Sequence, residues 1–187
     1  MKKIFYIFAV LCFALGFTSC GDDDWTYDSS LEHVYFFGPQ VWGYDDEKKG
    51  NNNVVHYEIG VGETAVVPMQ FWCEFNRSYD VITYYYFTSE TLSLGVDYNV
   101  VDENGTVLTP DASGAYSFVW KNALKGVKNV YVKSLPGGAA GTVTLQTCAP
   151  DAPTPVNNDL TTTLQSKTDN YEVRIFSQNY KVAINIQ

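Results

Sequence analysis

Apolar and polar residues take turns along most of this chain, and their period is two residues rather than 3.6. The last segment shows it best. Tyr180, Val182, Ile184 and Ile186 fall on one side of a strand, and Lys181, Ala183, Asn185 and Gln187 on the other. That is the pattern of a strand with one face buried and one wet. Residues 64–75 repeat it, with Val67, Met69, Phe71, Cys73 and Phe75 on a common face. Further strands are predicted at 34–37, 54–59, 81–88, 99–101, 106–108, 116–120, 127–135, 142–147 and 171–176. Gly38-Pro39 stops the first, Gly60-Val61-Gly62-Glu63 turns the chain, and Asp102-Glu103-Asn104-Gly105 reads as the tip of a hairpin. Residues 43–53 read as an exposed loop, and Pro150, Pro153 and Pro155 mark a long one over 149–170. No long window carries a helical period. Short strands with regular turn signals predict an all-β, immunoglobulin-like β-sandwich. Long irregular loops suit Greek-key connections better than the meander of a barrel.

The N-terminus follows another pattern. Met1-Lys2-Lys3 precedes an apolar run from Ile4 to Gly16, which is shorter than the ~20 residues a membrane-spanning helix needs and suits a cleaved export signal. It ends Phe17-Thr18-Ser19-Cys20-Gly21. That ending resembles a bacterial lipobox, in which small residues precede a cysteine that is lipid-modified before cleavage. The alternative is an ordinary signal that happens to contain a cysteine. The resemblance implies a signal peptide over 1–19, a lipidated Cys20, and an acidic tether over 20–30 ahead of one domain at 31–187. Two or more acyl chains hold a protein stably on a membrane. Asp22-Asp23-Asp24 resembles the surface-export tag of lipoproteins from Bacteroidota-type bacteria; the alternative is a solvated acidic linker on a protein that faces inward to the periplasm. The expected location is the outer membrane, lipid-anchored and facing outward.

Of 187 residues, 168 remain without the signal, with 10 basic and 21 acidic side chains and a net charge of −11. One domain with a proper core fits that length. The scattered lysines and arginines set nucleic acid aside, because a phosphate-binding face needs them clustered. The 14 Tyr, 11 Phe and 4 Trp, together with abundant Val and Thr, favour strands.

Residues 94–135 contain Gly95, Asp97 and Tyr98 ahead of a hairpin, then Phe118 with Trp120, then Asn129 to Lys133. This sequence resembles the Calx-β-like repeat, in which G-x-D-Y precedes a hairpin and a K-x-V-x-V-K strand follows. The resemblance covers about a quarter of the chain. It implies a sandwich and, by association with surface lipoproteins of polysaccharide-capture loci, involvement with glycan.

No residue pattern asks for catalysis. His33 and His56 stand apart from any nucleophile motif, and the acidic residues concentrate in turns and linkers. Asp45, Asp46, Glu47, Asp102 and Glu103 could offer oxygens to calcium, but they form no ligand loop and read as solvated charge. No cofactor is expected. Cys73 and Cys148 could bridge in an oxidising compartment, although their strand phases point them different ways, so two separate thiols are the expectation. The aromatic strand 81–88 offers a sharper hypothesis. Both its faces are bulky, so one is core and the other carries Tyr84 and Tyr86. Trp72 also faces away from its own core side. Aromatic rings with a polar handle tolerate water, and sugars stack C–H faces on them, so Trp72, Tyr84 and Tyr86 form a candidate glycan platform. Burial of both faces, under the 149–170 loop for example, is the competing reading. The expected partners are therefore the membrane through Cys20, glycan, and proteins of an outer-membrane import complex. The alternative function is a structural or adhesive subunit that pairs with another protein through an exposed strand.

Overall fold

A computed structural model describes residues 32–40, 49–50, 54–156 and 159–187. The signal, Cys20, the acidic tether, Trp25, Trp42 and Asp45 to Glu47 lie outside the described residues. The strands are β1 (Val34–Pro39), β2 (Lys49–Gly50), β3 (Val54–Ile59), β4 (Thr64–Trp72), β5 (Val81–Thr88) and β6 (Tyr98–Val101). They continue with β7 (Tyr116–Trp120), β8 (Gly126–Ser134), β9 (Gly141–Gln146), β10 (Leu164–Lys167), β11 (Glu172–Ile175) and β12 (Lys181–Ile186). One helical turn, α1 (Leu160–Thr163), precedes β10. The described strands form two six-stranded sheets, β10-β11-β1-β4-β8-β6 and β2-β3-β12-β9-β5-β7. The chain is the all-β sandwich that the alternation predicts.

Each central strand obeys the two-residue period. In β4, Ala65, Val67, Met69 and Phe71 are buried, while Thr64, Val66 and Trp72 are exposed. Pro68 sits mid-strand, where a missing N–H ordinarily breaks a ladder. Here it faces the end of β1, which pairs no further than Pro39 with Met69, and the Pro68 carbonyl accepts the Gln40 N–H at 2.8 Å. Phe75 departs from the expected face: β4 ends at Trp72 and Phe75 is exposed. Tyr116, Phe118 and Trp120 of β7 meet β1, β4 and β5 in an aromatic core. Phe71 stacks on Trp120 at 4.8 Å, and Tyr85 on Tyr116 at 5.5 Å. The buried Trp120 indole N–H donates to Thr83 Oγ1 at 2.9 Å.

Two pairings are parallel, β1 with β11 and β3 with β12. Parallel neighbours need a long connection, and here most of the domain lies between the partners. Early strands are thereby tied to late ones in both sheets. Two local expectations need correction. The turn at Asp102 to Gly105 forms, but 106–108 is no strand, and only an isolated bridge joins Val101 to Val107. The 149–170 segment also contains α1 and the edge strand β10.

Candidate functional site

β5 splits its side chains as its alternation requires. Val81, Thr83 and Tyr85 are buried, and Ile82, Tyr84 and Tyr86 lie half-buried on the outer face of the second sheet. Neither tyrosine hydroxyl makes a hydrogen bond among the described residues. Burial pushes the Tyr86 phenol up, with the negative charge of Asp111 as a second cause and Asp151 contributing further. Ser117 and Val119 of β7, both exposed, extend this face opposite Tyr84 and Ile82.

Beside Tyr84 the sheet has a gap, because β9 pairs with β5 only from Tyr86 to Thr88. The Gln165 side chain of β10 fills it. Its Oε1 accepts the Tyr84 N–H at 2.8 Å, and its Nε2 donates to the Tyr84 carbonyl at 2.9 Å and the Thr147 carbonyl at 2.6 Å. The amide thus supplies what one residue of a neighbouring strand would supply. Tyr171 adds to this seal, its hydroxyl accepting the Ile82 N–H at 3.2 Å. The backbone beneath the tyrosine pair is fixed while the rings stay at the surface.

Trp72 occupies a different place. It is 40% exposed on the outer face of the first sheet, against Phe36 at 6.1 Å. Phe36 in turn stacks on Phe176 at 5.9 Å. The structure brings Tyr84 and Tyr86 together but leaves Trp72 on the opposite side of the sandwich, so the three residues form no common platform. Val66 and Val127, each exposed by more than two-fifths, share the Trp72 side.

Cys73 and Cys148 are free, buried thiols. The Cys73 thiol donates to the Ala123 carbonyl, and burial pushes both thiols up. Of the two histidines, His33 shares a 2.7 Å hydrogen bond with Tyr79, whose hydroxyl also meets that of buried Tyr35 at 2.8 Å. Beside them Arg77 pairs with Glu32 at 3.0 Å. A cavity of about 310 Å³ lies against His33, Tyr79 and Tyr171.

Of the acidic candidates within the described residues, Asp102 is occupied by local structure, and Glu103 is exposed on the same turn. The Asp102 carboxylate accepts the Asn104 and Thr106 N–H groups, and those backbone bonds, Thr106 foremost, hold its pKa below the usual range. The G-x-D-Y segment is also structural in its contacts. Gly95 adopts φ +82°, a left-handed conformation that glycine takes freely. Asp97 accepts N–H groups from Ala139 and Ser93, both at 2.8 Å, and these bonds lower its pKa. Tyr98 enters the core. Gly138 packs so close to Asp97 that an added Cβ would stand 2.8 Å from its Cα.

Between β7 and β8, at the margin of the two sheets, a cleft of about 470 Å³ reaches Tyr85 and Phe118. Sequence patterning does not find it, because Tyr85 and Phe118 read only as core residues. No helix among the described residues is long and apolar enough to cross a membrane.

No family model matches this sequence, and no curated protein matches it. Among solved structures, a chain of the CaDoc0917–CaCohA2 complex is similar with 9% identity and a TM-score of 0.40, over 82% of this chain and 99% of that one. A chain from the complex of R. flavefaciens' third ScaB cohesin with a group 1 dockerin is similar with 12% identity and a TM-score of 0.32, over 82% and 94%. Overlap this shallow carries no argument about what the chain binds.

Proposed function

We propose that this protein is a non-catalytic lipoprotein, anchored at the outer membrane through Cys20, whose sandwich captures polysaccharide on the tyrosine face of the second sheet. The observation that carries the reading is the placement of Tyr84 and Tyr86. They stand two residues apart on one outward face, half-buried, with hydroxyls that bond to no other described residue, above a backbone clamped by Gln165. Rings held in this way bury area against a ligand at little cost in side-chain freedom. The lipobox-like ending at Cys20, the acidic triplet 22–24 and the Calx-β-like stretch around Asp97 support the cell-surface, glycan-associated setting. The test is affinity electrophoresis of the protein, freed of residues 1–21, through gels holding plant and host polysaccharides. Wild type runs beside a Tyr84→Ala, Tyr86→Ala variant. Retardation of wild type that the variant loses is the expected result; equal retardation of both would remove the tyrosine face from the account.

A second reading, a protein-docking subunit, draws on the other side. Exposed Trp72, Val66 and Val127 with the Phe36–Phe176 stack give the first sheet an apolar outer face. Self-association abolished by Trp72→Ser and indifferent to Tyr84→Ala is the result that favours it.

A further inference from the structure

We propose that the end of the sandwich carrying the 73–80 and 121–125 loops rests on a phospholipid surface, an inference that rests on the Cys20 anchor proposed above but not on glycan capture. Eleven residues separate Cys20 from Glu32. An extended chain spans at most ~3.3–3.6 Å per residue, so the described domain starts within about 40 Å of the anchoring cysteine. Its point of entry is fixed. Arg77 Nη2 donates to the Glu32 carbonyl at 2.9 Å and pairs with the Glu32 carboxylate at 3.0 Å, and His33 shares its hydrogen bond with Tyr79. Arg77 and Tyr79 both belong to the 73–80 loop, between β4 and β5. Two large apolar side chains project at this end, Phe75 at 43% exposure and Leu124 at 55%. Their loops are bonded together. The Cys73 thiol donates to the Ala123 carbonyl at 2.9 Å, the Arg77 N–H to the Asn122 carbonyl at 2.9 Å, and the Asn122 N–H to the Asp80 carboxylate at 3.0 Å. Asn122 and Ala123 take left-handed φ values of 53° and 47°, which is uncommon for residues other than glycine. That turn buries Ala123 completely and leaves the next residue, Leu124, outside. Trp72, exposed at the end of β4, lies one register step beyond the Phe71–Gly126 pair and so comes opposite Lys125.

The chemistry selects lipid. The two loops carry three basic side chains, Arg77, Lys121 and Lys125, against two acidic ones, Glu74 and Asp80, on a chain whose net charge is −9. Lys121 and Lys125 are exposed on either side of Leu124, and Asp80 is already paired with Lys121 at 2.6 Å. The Arg77 guanidinium lies 5.5 Å from the centre of the Phe75 ring. Apolar side chains bordered by cations and an indole suit the boundary between acyl chains and phosphate headgroups. The opposite end of the sandwich also exposes apolar residues, Val61, Leu94 and Val96. Its turns at 60–63 and 89–97 hold Glu63, Glu90 and Asp97 and no lysine or arginine, and the chain from Cys20 does not enter there.

The experiment uses the full chain, purified in detergent and reconstituted into vesicles of phosphatidylethanolamine with a minor share of phosphatidylglycerol, with and without brominated acyl chains. An environment-sensitive thiol dye is placed at Leu124→Cys or, as the control at the far end, at Val96→Cys; both positions are exposed, so neither label enters the core. Wild type treated with the dye in parallel sets the background from the buried Cys73 and Cys148. The dye at position 124 should shift its emission to the blue and be quenched by the bromines, and the dye at position 96 should do neither. Adding Phe75→Ser to the protein labelled at 124 should reduce the quenching. Mass spectrometry of the Cys20 peptide reports on the anchor separately. In acylated protein, equal quenching at both positions, or none at 124, overturns the lipid-facing end and leaves the anchor standing. A blue shift at 124 that follows protein concentration and not lipid assigns the patch to contact between copies and overturns it as well. A Cys20 without acyl chains overturns both the anchor and this surface.

Discussion

Replacing Gln165 with alanine removes three hydrogen bonds at once, and the structure allows the cost to be estimated. The Tyr84 N–H and the carbonyls of Tyr84 and Thr147 lose their partner in a part-buried gap that no strand fills. A hydrogen bond contributes about 0.5–1.5 kcal/mol net, and leaving its partner unsatisfied raises that figure. The expected loss is therefore about 2–4 kcal/mol. Urea unfolding of the protein freed of residues 1–21 reads it as a lower midpoint at unchanged slope. Gln165→Glu refines the test. Its carboxylate still accepts the Tyr84 N–H but faces two carbonyl oxygens, so the folded state favours the protonated form and raises the carboxyl pKa above the unfolded value of ~4.3. A raised pKa contributes stability that is present below the unfolded pKa and lost as pH rises through the folded one. The deficit of this variant against wild type should therefore grow between pH 4 and pH 7. An alanine variant within about 0.5 kcal/mol of wild type, or a glutamate variant equal to wild type at pH 7, would refute the strand-substitute role of Gln165.

Three further outcomes follow from the same contacts. Thr83→Val keeps the side-chain shape but leaves the buried Trp120 indole N–H without its acceptor, which should cost about 1–3 kcal/mol in urea unfolding. Asp97→Asn should lower the thermal midpoint at neutral pH, because an amide has one acceptor oxygen for the two N–H groups the carboxylate now binds. Since those bonds depress the Asp97 pKa, its contribution holds above the unfolded value of ~3.9 and fades as pH falls through the lower folded value, so the variant's deficit should shrink in acid. Gly138→Ala should destabilise by about 1–3 kcal/mol through backbone displacement at Asp97, and its effect should not add to that of Asp97→Asn, because both disturb one contact.

The strands that bury one face were legible in the sequence, since burial imposes the period directly: β4 and β12 follow their alternation residue by residue. β10 was not. Its four residues are exposed or half-buried, so no alternation marks it; it is placed by antiparallel pairing with β11 and by one glutamine amide bonding to the backbone of a strand 81 positions away. The parallel pairings of β1 with β11 and β3 with β12 likewise join residues too distant for any local pattern to show. The candidate site divides along the same line. Alternation indicates that Trp72 and Tyr84 point outward from their strands, but sheet order decides whether two outward faces coincide. It puts these on opposite sides. The cleft at Tyr85 and Phe118 depends on where the sheet margins part, which residue type does not encode.

The central claim is that Tyr84 and Tyr86 hold glycan by their rings. The most direct measurement is the affinity of one retained polysaccharide for wild type, for Tyr84→Phe, Tyr86→Phe, and for Tyr84→Ala, Tyr86→Ala, by electrophoresis at graded polysaccharide concentration. The account predicts that the phenylalanine variant stays within a fewfold of wild type, because the stacking surface remains, while the alanine variant loses about tenfold or more. Equal affinity in all three proteins would contradict it.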